Sequence, residues 1–104
     1  MFTVFETESA IITLAVYFSF GSLMISLIAA LYRLLAGPTL PDRVVALDLI
    51  AYIVIAFIAA YAISSGVADF LDAAIVLALI AFLGTVAFAR YVQRSGEKNR
   101  DDLI

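Results

Sequence analysis

The stretch Leu40-Pro41-Asp42-Arg43-Val44-Val45-Ala46-Leu47-Asp48-Leu49-Ile50-Ala51-Tyr52-Ile53-Val54-Ile55-Ala56-Phe57-Ile58-Ala59-Ala60-Tyr61-Ala62-Ile63 decides the fold. After Arg43 it is apolar on every side, broken by a single ionisable carboxylate, Asp48. A helix apolar all round is not a surface helix; it lies in a large core or in a membrane. A chain of 104 residues has no large core. At 1.5 Å per residue these residues reach roughly 36 Å, enough to cross a hydrocarbon core of about 30 Å. The stretch therefore predicts a transmembrane helix.

Two further apolar blocks flank it, over residues 9–35 and 70–92. Hydrophobic residues make up 65% of the chain and charged residues 14%, too apolar and too weakly charged for a water-facing protein. The expectation is an all-α membrane protein: three transmembrane helices joined by short turns, forming one membrane domain over residues 1–104. Residues 93–104 are read as a charged, solvated tail. The first block lacks the basic n-region of a signal peptide and is too long for its apolar core, so it reads as a retained span.

Local chemistry marks the turns. Gly37-Pro38 stops the first helix. Thr39-Leu40-Pro41-Asp42 has capping-box spacing, and Pro41 suits the first turn of the second helix. Ser64-Ser65-Gly66 ends that helix. Ser9 or Thr7 is the expected N-cap of the first helix and Asp69 that of the third, with Asp72 three positions on.

Charge sets the direction. Arg33 and Arg43 flank the first turn, and Arg90, Arg94, Lys98 and Arg100 follow the third span. Glu6, Glu8, Asp69 and Asp72 lie at the opposite side, which carries no Lys or Arg. The positive-inside rule then puts the N-terminus outside and the C-terminus in the cytoplasm.

The chain has no cysteine and no histidine. This excludes disulfides, thiolate or imidazole metal sites and imidazole catalysis. No nucleophile–base pair and no phosphate-cradling glycine loop is present, and no cofactor is expected. The basic tail is too sparse and too acid-interleaved for nucleic acid. The chain reads as no enzyme.

Asp48 is the main candidate for function. A helix starting at Leu40 carries it about 12 Å along the axis, below the cytoplasmic interface. A carboxylate at the bilayer centre costs about 2.5–3.5 kcal/mol on insertion scales, less near the edge, so it must face protein, water or an ion. Its i±3 and i±4 neighbours, Val44, Val45, Ala51 and Tyr52, carry no positive charge. A lone carboxylate without an internal counter-charge suits a hard monovalent cation, with transient Na+ at Asp48 as one reading. Hydrogen bonding to another helix, or pairing with a partner's lysine, is the other. Asp72 is a second, weaker candidate for ion entry against a capping role.

Two stripes of small and polar residues read as close-packing surfaces. Ser19, Ser22 and Ser26, with Ala15, Ala29 or Ala30 and Arg33, form one on the first helix. Ala74, Ala78, Ala81 and Thr85 form another on the third, leaving Leu77, Leu79, Phe82 and Phe88 to point elsewhere. Arg33, Gly37, Pro38, Pro41, Asp42 and Arg43 make up the cytoplasmic turn, a place for lipid phosphate or a neighbouring subunit.

The run Arg33-Leu34-Leu35-Ala36-Gly37-Pro38-Thr39-Leu40-Pro41-Asp42-Arg43-Val44-Val45-Ala46-Leu47-Asp48 resembles a signature of the F subunit of Mrp-type (Mnh or Pha) multisubunit Na+/H+ antiporters. The third span, from Phe70 to Tyr91, is similar too, and so is the three-span layout. The resemblance implies a small accessory subunit in a bacterial or archaeal cell membrane. Its partners would be large antiporter-like subunits and other small membrane subunits, with the lipid bilayer, Na+ and H+. It also implies that the acid at Asp48 helps form the sodium route. Three other readings compete: a structural assembly subunit in which Asp48 only packs, a self-oligomerising holin-like pore, and a proton-carrying rotor subunit, against which the three spans argue.

Overall fold

The computed structural model describes the backbone of residues 2–103 and the side chains of residues 6–96. Three helices follow in order: α1 (Phe2–Ala36), α2 (Leu40–Ser65) and α3 (Asp69–Leu103). Each contains a stretch long and apolar enough to cross a membrane: Glu6–Ala36, Leu40–Ser65 and Asp69–Gly96. Among the described residues there is no strand, as the apolar patterning requires.

The helices form a row. α1 packs on α2 and α2 packs on α3, while α1 and α3 do not touch among the described residues. Neighbours run antiparallel because connections of only three residues join them. Paired rings mark both seams. Phe20 of α1 meets Phe57 of α2 with centroids 5.8 Å apart, and Tyr61 of α2 meets Phe70 of α3 edge-on at 4.9 Å.

Small residues make the row possible. Ala30, Ala46, Ile53, Ala62 and Ala74 are the buried core, four of the five being alanine. Alanine lets backbones approach closely, and inside a bilayer close packing replaces the hydrophobic effect as the force between helices. α1 turns Val16, Phe20, Leu23, Leu27, Ala30 and Leu34 inward, a repeat of four and three residues that keeps them on one face. α3 turns in Ala74, Leu77, Ala78 and Ala81. Leu77 thus joins the small-residue face from which the sequence reading excluded it, and Phe88, though exposed, lines the groove between α2 and α3; Leu79 and Phe82 point outward as expected.

The exposed area is 8374 Å². A soluble monomer of this mass exposes roughly 5,700 Å². The excess carries large side chains such as Phe18, Leu35, Leu83 and Tyr17, all at least 65% exposed. Such a surface requires lipid or other subunits as its solvent.

Several helix ends differ from the expectation. α1 starts at Phe2, not near Ser9, because no breaker stands before Ser9. Ser9 lies inside the helix and its hydroxyl donates to Glu6 O at 2.9 Å, so it does not cap. Thr39 does occupy the N-cap of α2, with extended φ −115° and ψ 155°, but its side chain caps no backbone N–H. Its hydroxyl instead donates to Asp42 Oδ2 at 2.6 Å, since a charged carboxylate is the stronger acceptor. α3 begins with Asp69 already helical, and the carbonyl of Ala68 accepts from the N–H groups of Leu71 and Asp72. Asp69 and Asp72 therefore stand in the first turn, where their charge complements the helix dipole. At the far end α3 continues past Val92 to Leu103. Gly96 alone costs only about 1 kcal/mol in a helix, no proline follows it, and Glu, Lys and Arg favour the helix. The side chains of Lys98 and Arg100 lie outside the described residues.

Gly66 ends α2 as expected. It adopts φ 72°, the left-handed conformation open to glycine, and its N–H reaches Ala62 O at 3.0 Å.

Candidate functional site between the second and third helices

Asp48 lies eight residues into α2, half-buried on the side facing α3. Thr85 of α3 donates its hydroxyl to Asp48 Oδ1 at 2.6 Å. The same hydroxyl lies 3.0 Å from Ala81 O, one turn back in its own helix. No lysine or arginine pairs with Asp48 among the described residues. Among the described residues a hydrogen-bond donor faces Asp48, and no cation of these residues does.

The pair borders a groove of about 410 Å³ between α2 and α3. Pro41, Val44 and Ala51 line it from one side, and Gly84, Phe88 and Val92 from the other. Apart from Asp48 and Thr85 its walls are apolar side chains and glycine, so these two oxygen-bearing groups are its polar feature. Asp72 lies elsewhere. It is exposed in the first turn of α3, about 20 Å along the axis from Thr85.

The cytoplasmic-turn residues of the sequence reading come together around the α1–α2 connection. Gly37 is buried there, its N–H donating to Arg33 O at 2.9 Å. A Cβ at Gly37 would lie 3.0 Å from Arg33 O and 3.3 Å from Asp42 Cβ, so glycine is needed for close approach. Arg43 folds back over the turn and donates from Nε to Gly37 O at 3.3 Å. That bond serves a carbonyl at the C-terminal end of α1, where a cation is favourable. It also directs the guanidinium to the α1 turn. Arg33, Tyr32, Pro38 and Asp42 rim a second notch of about 350 Å³ beside the turn.

The two packing stripes fare differently. Ala74, Ala78 and Ala81 face α2, and Thr85 holds Asp48. Ser19, Ser22 and Ser26 do not face α2; they are exposed. Ser19 donates to Ala15 O at 2.7 Å and Ser26 to Ser22 O at 2.9 Å, satisfying both hydroxyls within α1.

Thr85 as the partner of Asp48 was missed by sequence reasoning, which gave it a packing role. The signal was available. In an antiparallel hairpin centred on Val67, Asp48 stands 19 residues before the centre and Thr85 18 after it. These two polar side chains are thus brought to the same depth.

The model of the family described as "Multiple resistance and pH regulation protein F (MrpF / PhaF)" matches residues 41–93, the α2–α3 hairpin that carries the site. The chain belongs to the MrpF/PhaF family. The F subunit of the Na(+)/H(+) antiporter of Bacillus subtilis (strain 168) is 37% identical over 82 residues, covering 79% of this chain and 87% of that protein. The protein described as "Putative antiporter subunit mnhF2" of Staphylococcus aureus strains JH9 and Newman is 35% identical over 68 residues, covering 65% of this chain and 68% of theirs. No solved structure gives a significant match. The chain is a multi-pass membrane protein and a small accessory subunit of a multisubunit antiporter. Family membership sets aside the holin-like and rotor readings.

Proposed function

We propose that this MrpF/PhaF chain serves a Na+/H+ antiporter of a bacterial or archaeal cell membrane and contributes Asp48 to the cation route. In this reading it carries out transport and no enzymatic chemistry. The N-terminus lies outside and the C-terminus in the cytoplasm, and large and small antiporter subunits cover its exposed faces. One observation supports the role of Asp48: a half-buried carboxylate opens on a groove with no cation beside it among the described residues. An intramembrane acid in that setting is suited to receive a mobile positive charge. Na+ is a hard ion that takes oxygen ligands, which Asp48 supplies.

A second reading has its own observation. The Thr85–Asp48 bond ties α3 to α2, so Asp48 could act as a structural clamp alone. Substitution separates the two. Asp48→Asn keeps the shape and a hydrogen-bonding oxygen but removes the charge. In the cation-route reading the variant complex assembles and loses Na+-driven proton exchange. Normal exchange by an assembled Asp48→Asn complex sinks that reading and leaves the clamp.

A further inference from the structure

The Thr85 hydroxyl has two acceptors within reach, Asp48 Oδ1 at 2.6 Å and Ala81 O at 3.0 Å. A hydroxyl carries one proton and two lone pairs, so only one of these oxygens receives a full hydrogen bond at a time. Rotation about the Cβ–Oγ1 bond moves the proton from one to the other without moving either helix. With the proton towards Asp48, it occupies the side of the carboxylate that faces α3. With the proton towards Ala81 O, a lone pair of Thr85 faces the same space. Threonine suits this use within a helix, since its Oγ1 is at home against a carbonyl one turn back. There is room beside the pair: a Cβ added at Gly84, on the same groove, would meet nothing within 4 Å.

We propose that Thr85 is a second oxygen ligand of the cation received at Asp48, and that Ala81 O takes the hydroxyl proton while the cation is bound. The proposal rests on the cation-route reading of Asp48. It makes the site one carboxylate oxygen and one hydroxyl oxygen on facing helices, with water and neighbouring subunits supplying the rest. Two ligands from this chain make a hand-over point, not a tight store. No proton leaves the protein in this step: the bond Thr85–H···Asp48 breaks, Thr85–H···Ala81 forms, and the cation takes the freed lone pair.

The test uses the intact antiporter complex in everted membrane vesicles, with NaCl varied as the only driving cation and assembly followed by co-purification. Thr85→Val keeps the branched shape and removes the oxygen. It should assemble and raise the half-saturating Na+ concentration roughly tenfold, the order of one hydrogen bond to a charged group. The maximal rate should stay within about twofold, because the loss falls on binding. Thr85→Ser restores the hydroxyl and should restore wild-type half-saturation, which a purely steric role would not require. If Thr85→Val leaves half-saturation unchanged while Asp48→Asn abolishes exchange, Thr85 is no ligand and the Asp48 reading stands. If Asp48→Asn exchanges normally, both readings fall. If Thr85→Val does not co-purify, Thr85→Ala replaces it. Failure of both to co-purify makes Thr85 a structural clamp and overturns the proposal.

Discussion

Replacing Gly37 by alanine tests the tightness of the first turn. Two effects oppose each other. Alanine restricts the unfolded chain, which stabilises by about 0.4–1 kcal/mol where the native backbone accepts it. Gly37 is not in the left-handed region, so its dihedral angles alone do not forbid alanine. Space does. The new Cβ would stand 3.0 Å from Arg33 O and 3.3 Å from Asp42 Cβ. Neither atom is the loose end of a side chain. Arg33 O belongs to the last turn of α1 and already accepts from Gly37 N, and Asp42 Cβ is fixed by the first turn of α2. The turn must open by a few tenths of an ångström, and overpacking of this kind costs about 1–3 kcal/mol. Subtracting the smaller gain leaves a net loss of about 0.5–2 kcal/mol. Opening the turn also strains the 3.3 Å bond from Arg43 Nε to Gly37 O. The assay is a denaturant titration of the purified complex in mild detergent, following release of this chain. Gly66 supplies the contrast. A Cβ there meets nothing within 4 Å, but φ is 72°, so its cost is conformational. Gly66→Ala should lose about 1–2 kcal/mol, and Gly66→Asn should recover part of it because asparagine tolerates that region. Gly37→Asn should recover nothing, since it carries the same Cβ. A Gly37→Ala complex as stable as the parent, or an asparagine rescue at position 37, would refute the steric argument.

Two further outcomes follow from other parts of the row. Ala46 is 1% exposed, so Ala46→Leu has no room and should destabilise the protein by about 1–3 kcal/mol, read in the same titration. Unchanged stability there would mean that α1 packs on α2 more loosely than the structure has it. The absence of native cysteine gives a clean background for topology. In intact cells a membrane-impermeant thiol reagent should label Val67→Cys and spare Thr39→Cys, and the reverse pattern would invert the assigned direction.

The helices and their turns were legible because composition decides them. An all-round apolar stretch has one physical solution in so short a chain, and Gly37-Pro38 and Ser64-Ser65-Gly66 carry their own stop signals. The helix beginnings were less legible. A threonine hydroxyl chooses between a backbone N–H and a carboxylate, and at Thr39 the charged acceptor Asp42 wins. The face of α1 that meets α2 was less legible for a related reason. Ser19, Ser22 and Ser26 look like interhelical glue, but a serine hydroxyl in an apolar helix has a carbonyl of its own helix within reach. The face that meets α2 is the apolar repeat from Val16 to Leu34. At the site, Asp48 stood out because an acid is costly in that position, whereas Thr85 costs little and reads only as a member of a packing stripe. Only the hairpin register singles it out.

The row arrangement has a consequence for how substitutions combine. α1 and α3 each touch α2 and do not touch each other among the described residues. A change on the Val16–Leu34 face of α1 therefore reaches the Asp48–Thr85 pair through α2 alone. Energetic effects at sites without shared contacts add to within about 0.3–0.5 kcal/mol. Double-mutant cycles pairing Leu23 or Leu27 with Thr85 should give coupling energies near zero, while cycles within α2–α3 should not. The hairpin at residues 41–93 can then keep its chemistry constant while α1 is fitted, residue by residue, to whatever neighbour it meets.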